Sequence, residues 1–338
     1  MFDVLGDIEL ANVSLIGGMT SDGGGGIRAN AGSSVTVLDC VFSSSIAFAG
    51  GSISGYDEAT VTVIGSTFDS NRADSGGANS GCNSTTLTVT SSTFNSNRAV
   101  SGGAVSSFNA TTVTVSASTF TNNTAGSSAG AIYAEDRVVV AVTDSSFSSN
   151  KANIGGAIVG FNATTLNITG SVFTTNSATV EAGAVHGSLE AIVIITQSTF
   201  NGINTGTGGA VIGFRGTAVT VSDSAGIKNS ARSYSGGAIH AVERTSVAVS
   251  NSTFNSNSAA YYGGAVYGYI ATAVTVSLST FTNNSVTSSG SKAGAIGAED
   301  HAAVAVINSA FSNNRADSGG AVNGFNATAI SVKDSAFF

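Results

Sequence analysis

One phenylalanine returns about every 26 residues along this chain, and that recurrence constrains the fold more than any other feature. Phe42, Phe68, Phe94, Phe120, Phe147, Phe173, Phe200, Phe254, Phe281, Phe311 and Phe337 follow one another at intervals of 26, 26, 26, 27, 26, 27, 54, 27, 30 and 26. The interval of 54 is two units, with Gly226 standing where Phe is expected, and Leu15 opens an earlier, degenerate unit. A unit reads like residues 94 to 119: Phe-Asn-Ser-Asn-Arg-Ala-Val-Ser-Gly-Gly-Ala-Val, a polar turn, Thr-Val-Thr-Val and a Ser-rich corner. Self-similarity at a fixed period of this length marks a repeat architecture.

Within each unit the apolar residues alternate with polar ones (Val61 and Val63, Leu87 and Val89, Val113 and Val115, Val274 and Val276), and β-branched residues and Gly dominate. That is a strand pattern. A unit of this size is too small to enclose a core of its own, so it must bury its apolar side against its neighbours. The economical solution is an all-β parallel β-helix, a single continuous solenoid over residues 1–338 with one coil per unit. About 12 coils of ~26 residues are expected, each with three short strands: the Val-Thr-Val segment, the Phe segment and the Gly-Gly-Ala-Val segment. Stacking in register at about 4.8 Å per coil predicts a rod on the order of 60 Å long.

The composition agrees with such a stack. The chain has 338 residues, no Pro and 9% charged residues. Pro would delete a ladder hydrogen bond wherever a strand has two neighbours, and stacked like charges would repel. Gly pairs such as Gly76-Gly77, Gly102-Gly103, Gly155-Gly156 and Gly263-Gly264 supply corners where a side chain would obstruct the next coil. With 12 basic residues under a net charge of −8, no nucleic-acid partner is expected, and the short apolar runs give no membrane insertion in this segment. Three His and two Cys support neither a metal site nor any other cofactor. Cys40 and Cys82 sit at different repeat offsets and are expected to stay unpaired, with Cys82 buried in place of an aromatic residue.

Several columns run through the repeat. Phe68, Phe94, Phe120 and Phe147 form a structural ladder, and three residues later so do Asn71, Asn97, Asn123 and Asn150, continuing through Asn176, Asn229, Asn257, Asn284 and Asn314. Asn at a turn tolerates the left-handed region and can bond the Asn above and below. Further on, aromatic residues (Phe108, Phe161, Phe214, Tyr269, Phe325) alternate by coil with acids at or beside the same place (Glu135, Glu190, Glu243, Glu299), which reads as a solvated corner with spaced charges. His186, His240 and His301 offer no convergent catalytic group. Outward positions of the Val-Thr-Val strand place Thr86, Thr88, Thr90, Thr112 and Thr114 on one candidate ligand face, and β-propensity alone also explains Thr there. That array breaks at Val139-Ala141 and at Ile192-Ile194.

Asn-x-Ser/Thr sequons include Asn109, Asn162 and Asn326, each just after the aromatic corner, and these three are the candidate glycosylation sites. Both ends read as cut within the coil pattern, Phe337-Phe338 closing the chain. An unprotected solenoid end invites association, so the expectation is part of a longer chain or a filament that self-associates end to end.

Gly-Gly-Ala-Ile/Val (Gly155 to Ile158, Gly102 to Val105) paired with Phe-x-x-Asn (Phe68 to Asn71, Phe147 to Asn150) resembles the repeats of the polymorphic outer membrane proteins. Those are surface autotransporters with β-helical passengers, adhesins in chlamydiae, and similar repeats occur in large extracellular proteins of algae and oomycetes. The resemblance implies a right-handed parallel β-helix and an extracellular or cell-surface location; the repeated polar surface and the unprotected ends separately lead to the expectation of surface proteins, glycans or further copies of itself as partners. The leading expectation is therefore a non-enzymatic adhesive or structural surface protein. A carbohydrate-active β-helix enzyme (lyase- or epimerase-like) and an ice- or polysaccharide-binding β-helix are the alternatives.

Overall fold

The computed structural model describes residues 1–326 and 328–338, and among these the only regular structure is β-strand. The chain makes about thirteen turns of a parallel β-solenoid, and thirteen strands belong to each of three faces. This is one turn more than the phenylalanines and Gly226 mark. The extra coil is Phe2–Val4, Asp7–Ala11 and Ser14–Ile16, in which Leu15 occupies the aromatic column and pairs with Phe42. Contacts divide the chain into two compact units, Met1–Asn167 and Ile168–Phe338.

In the first unit the strands of the three main faces pair in register with their counterparts one repeat later: Phe68 with Phe94 and Phe94 with Phe120, Leu87 with Val113 and Val89 with Val115. Strand alternation sends one set of side chains inward. Burying each Phe, Leu or Val supplies about 1.5–3 kcal/mol. The rings Phe42, Phe68, Phe94, Phe120 and Phe147 stack nearly parallel with centroids 4.7–4.9 Å apart, the strand spacing itself. In the second unit Phe173–Phe200 and Phe254–Phe281–Phe311–Phe337 stack in the same way at 4.7–5.0 Å. Between those two stacks Gly226 pairs with Phe200 on one side and Phe254 on the other. The missing ring leaves a small apolar void of about 10 Å³ bounded by Phe200, Val221, Ala238 and Phe254.

The three expected strands recur on all thirteen turns, and eight turns add a fourth. A fourth ladder of eight strands lies between the Asn column and the Gly-Gly corner, including Arg98–Ser101, Thr124–Ser128 and Lys151–Ile154 in the first unit and Ser177–Glu181 and Asn204–Thr207 in the second. Its strands bury little: Ala99 and Ala125 point inward while Arg98 and Val100 are exposed. With one or two inward residues per strand, most of them small, there is no alternation to read.

The corners also differ from expectation. The left-handed residue is not the ladder Asn but the residue before it: Ser70, Ser96 and Asn122 have φ of 54–56°. The turn after the aromatic corner uses two such residues in succession, Asn83-Ser84, Asn109-Ala110 and Asn162-Ala163, with φ of 51–61°. The Gly pair meets a second constraint. A Cβ on Gly103 would lie 2.2 Å from the carbonyl oxygen of Gly130 in the next coil, so only Gly lets the coils close to strand spacing there.

Candidate binding surfaces

The outward face of the Thr-rich strands in the first unit is an ordered array. Thr86, Thr88 and Thr90 pair with Thr112, Thr114 and Ser116 on one side and with Thr60, Thr62 and Ile64 on the other. Leu87, Val89, Val113 and Val115 between them point into the core, so the hydroxyl side chains stand outward, half-buried to exposed. The spacings are about 4.8 Å between coils and about 6.6 Å along the strand. Thr90 and Ser116 hydroxyls are 3.2 Å apart, which ties one edge row laterally. Each hydroxyl offers one donor and two acceptor sites, so the face presents regularly spaced hydrogen-bonding groups interleaved with methyls. The register then sets Val139 beside Thr112 and Ala141 beside Thr114, ending the Thr array at the next coil.

Phe68, Phe94, Phe120, Phe147, Asn71, Asn97, Asn123 and Asn150 all lie inside, fully buried, and touch no outer surface. In the first unit the amide of Asn97 donates from Nδ2 to the Phe68 carbonyl and to Asn123 Oδ1, both at 3.0 Å. Its Oδ1 accepts from the backbone N–H and from Nδ2 of Asn71, also at 3.0 Å. The second unit repeats this through Asn229, Asn257 and Asn284. Beside this ladder runs a second one of serine: the N–H of Ser66 donates to Ser92 Oγ and that of Ser92 to Ser118 Oγ, each at 3.1 Å, while Ser92 Oγ donates back to the Thr90 carbonyl. The buried Cys40 stands at the head of this serine column, its N–H donating to Ser66 Oγ. Cys40 and Cys82 are both free thiols, and Cys82 is half-buried rather than enclosed, because the corner it occupies opens to solvent.

At the aromatic corner Asn109 is exposed and its Nδ2 donates to Asn83 Oδ1 at 3.0 Å. Asn162 is half-buried and donates to Asp136 Oδ1 at 2.9 Å. Asn326 is exposed and donates to Glu299 Oε1 at 3.0 Å; Ala327 of its sequon lies outside the described residues. Attaching a glycan to any of them would replace one of the two Nδ2 hydrogens and leave one N–H to donate.

The acids of this corner are not simply solvated. Glu135 accepts a 2.7 Å hydrogen bond from the hydroxyl of the buried Tyr133, and Glu299 one of 2.6 Å from the buried Tyr267. Burial first, then the neighbouring carboxylate, push both phenols far above their ordinary value. Tyr133 packs between Phe108 and Phe161 with Ala129 and Val159, a small apolar seam outside the main core.

Two of the three His do converge with an acid, contrary to the expectation from sequence. His186, Ile212 and His240 are successive rungs of one column in the second unit, and His240 is followed by Tyr267. His186 Nε2 lies 3.3 Å from Glu181 Oε2, and this contact holds the Glu181 carboxyl below its usual range. His240 is enclosed, and burial pushes it down to about 4, so it is neutral near pH 7. Tyr234 and Tyr267 pack on it with ring centroids 5.9 and 5.4 Å away. The sequence signal was available: Tyr133, His186, His240 and Tyr267 each stand two residues after the alanine of the Gly-Ala corner. His301 sits apart, on an exposed turn. Among the described residues no group of three His, Cys, Asp or Glu is placed to hold a metal ion, and no helix is long and apolar enough to cross a membrane.

The Chlamydia polymorphic membrane protein repeat matches this chain twice, at residues 117–135 and 251–269. The first stretch holds Phe120, Asn123 and Gly130-Ala131-Ile132; the second holds Phe254, Asn257 and Gly263-Gly264-Ala265-Val266. No curated protein and no solved structure matches. The chain thus carries a polymorphic-membrane-protein-like repeat on a β-solenoid.

Proposed function

We propose that this chain is displayed extracellularly, at a cell surface, and is adhesive rather than enzymatic: it holds a polymeric partner, a glycan or another surface protein, against the hydroxyl face of its first unit. The register of Thr86, Thr88 and Thr90 with Thr112, Thr114 and Ser116 carries this reading. Many equivalent weak contacts repeated along one face suit multivalent attachment, in which each added contact multiplies the bound lifetime. A partner with a repeating hydroxyl or amide pattern is the natural complement, because every Thr is both donor and acceptor. The polymorphic membrane protein repeat supports the surface location.

Beads coated with the purified chain should attach to the surface of the producing organism's cells or of its hosts. The paired change Thr88→Lys with Thr114→Lys, at two neighbouring exposed rungs, should cut attachment at least tenfold while circular dichroism stays that of the parent. Attachment unaffected by that pair would refute the assigned face. Protease shaving of intact producing cells should release fragments of the chain; a chain that remains intact until lysis would refute surface display.

A further inference from the structure

The convergence around His240 opens to the surface of the second unit. A recess of about 180 Å³ is lined by Glu181, Thr207, Phe214, Tyr234, His240 and Tyr269, with two aliphatic side chains at its floor. Its lining residues all belong to the second unit, and its reading does not depend on the adhesive one. Three features of its wall define what it can hold.

The first is unmet hydrogen bonding. Neither ring nitrogen of His240 has a partner among the described residues, although the side chain is 97% enclosed. A neutral imidazole has one N–H donor and one acceptor, and a buried ring with both unmet is destabilising. One oxygen of Glu181 is occupied by His186, and the other has no protein partner among the described residues. The occupant must therefore both accept and donate. The second is aromatic surface: Phe214, Tyr234 and Tyr269 give apolar faces with polar edges. The third is charge. Glu181 is ionised, so an anion is repelled, while a quaternary ammonium, which rings and a carboxylate would otherwise welcome, would satisfy neither nitrogen of His240. Gly208 leaves room for the His240 ring itself: a Cβ there would come within 2.8 Å of His240 Nδ1 and 2.4 Å of Ile212 Cδ1.

We propose that this recess binds one neutral pyranose residue of a saccharide. Its C–H face lies on the aromatic wall, and its hydroxyls bond Glu181, Thr207 and the one ring edge of His240 that lines the recess. A pyranose is the common small molecule that combines an apolar face with hydroxyls able to give and take hydrogen bonds, and a volume of this size admits one ring.

The test uses the whole chain and saturation-transfer NMR with the methyl glycosides of glucose, galactose, mannose, N-acetylglucosamine and N-acetylgalactosamine, with choline as the competing chemistry. At least one glycoside should bind with Kd of about 10 mM or tighter. Tyr269→Ala and Glu181→Gln, both at the partly exposed rim, should each weaken it fivefold or more. In the parent chain the same glycoside should shift the imidazole Hε1 resonance of His240, assigned by its loss in His240→Asn, and should leave that of His301 in place. The shift is read in the parent chain, and the His240→Asn variant serves only to assign the resonance. No binding by any glycoside, binding unchanged in both rim variants, a His240 resonance that does not move, or preference for choline would each overturn the proposal.

Discussion

Asn97→Ala tests the internal amide ladder at its most fully bonded rung. The Asn97 side chain gives two hydrogen bonds and takes two, all at 3.0 Å and all out of contact with water. Truncation removes the four together. The Nδ2 of Asn71 keeps its bond to the Phe42 carbonyl, and Asn123 Oδ1 keeps the N–H of Asn97. The backbone N–H of Asn71, however, loses its acceptor in a place no water reaches. One orphaned buried donor costs about 1–3 kcal/mol and each ordinary bond about 1 kcal/mol, which with some relaxation gives about 3–5 kcal/mol for the variant. Urea unfolding of the parent and variant should show that loss as a lowered midpoint, and native-state hydrogen exchange should quicken first in the coils that hold Asn71 and Asn123. Asn97→Asp refines the test. The introduced carboxyl would face the Phe68 carbonyl and Asn123 Oδ1, two acceptors, so the folded state raises its pKa above the unfolded value near 4. Such a group stabilises only while protonated, so this variant should lie closest to the parent near pH 4 and fall further behind as pH rises to 7. A loss below about 1 kcal/mol for Asn97→Ala, or no pH trend for Asn97→Asp, would show that the ladder accompanies the fold without holding it together.

Three further outcomes follow from the geometry. Gly103→Ala drives a methyl into the Gly130 carbonyl of the next coil, so the expressed variant should melt well below the parent or collect as aggregate, while Thr112→Ala on the exposed face should change the melting temperature little. His240 is held neutral at about 4 against an ordinary 6.5; the unfolded chain therefore binds the extra proton first, and stability at this residue is present above pH 6.5 and drains away as pH falls toward 4. In an acid titration of unfolding, His240→Phe should remove up to about 3 kcal/mol of that dependence, and an unchanged acid limb would contradict the buried neutral ring. Tyr133 and Tyr267, raised by burial and by Glu135 and Glu299, should remain un-ionised in the folded protein beyond pH 11, read at 295 nm, and their stabilisation should be lost as pH climbs past the unfolded value of 10; full ionisation of all seven tyrosines near pH 10 without unfolding would refute it.

Much of the solenoid was legible in the sequence because stacking in register turns a three-dimensional neighbour into a periodic one. Phe94 meets Phe68 and Phe120 for the same reason that it stands 26 residues from each. Gly226 and Leu15 were recognisable as occupants of the Phe column even without the ring. What escaped reading has physical causes. The fourth ladder turns few side chains inward, mostly small ones such as Ala99 and Ala125, so it leaves no hydrophobic beat. The serine ladder is hidden by abundance, since Ser66, Ser92 and Ser118 are three among many serines and only their Oγ positions single them out. The His240 recess draws on Glu181, Thr207, Tyr234 and Tyr269, which occupy different columns in different coils; reading down one column at a time finds His186 with His240 but not the wall that completes the site.

The hydrogen bonds that pass from one ladder Asn to the next all point one way. In each unit the N–H groups of one coil reach for the oxygen of the coil that follows it in sequence. A coil is therefore like a link with a distinct plug and socket. Copying a coil, or excising one as a whole repeat, joins an existing plug to an identical socket and leaves every rung bonded, whereas a cut at half a repeat strands both. Genes that lengthen or shorten such a protein by unequal exchange between repeats inherit a working interior each time, so the length of the surface can drift freely while the chemistry of its centre stays fixed.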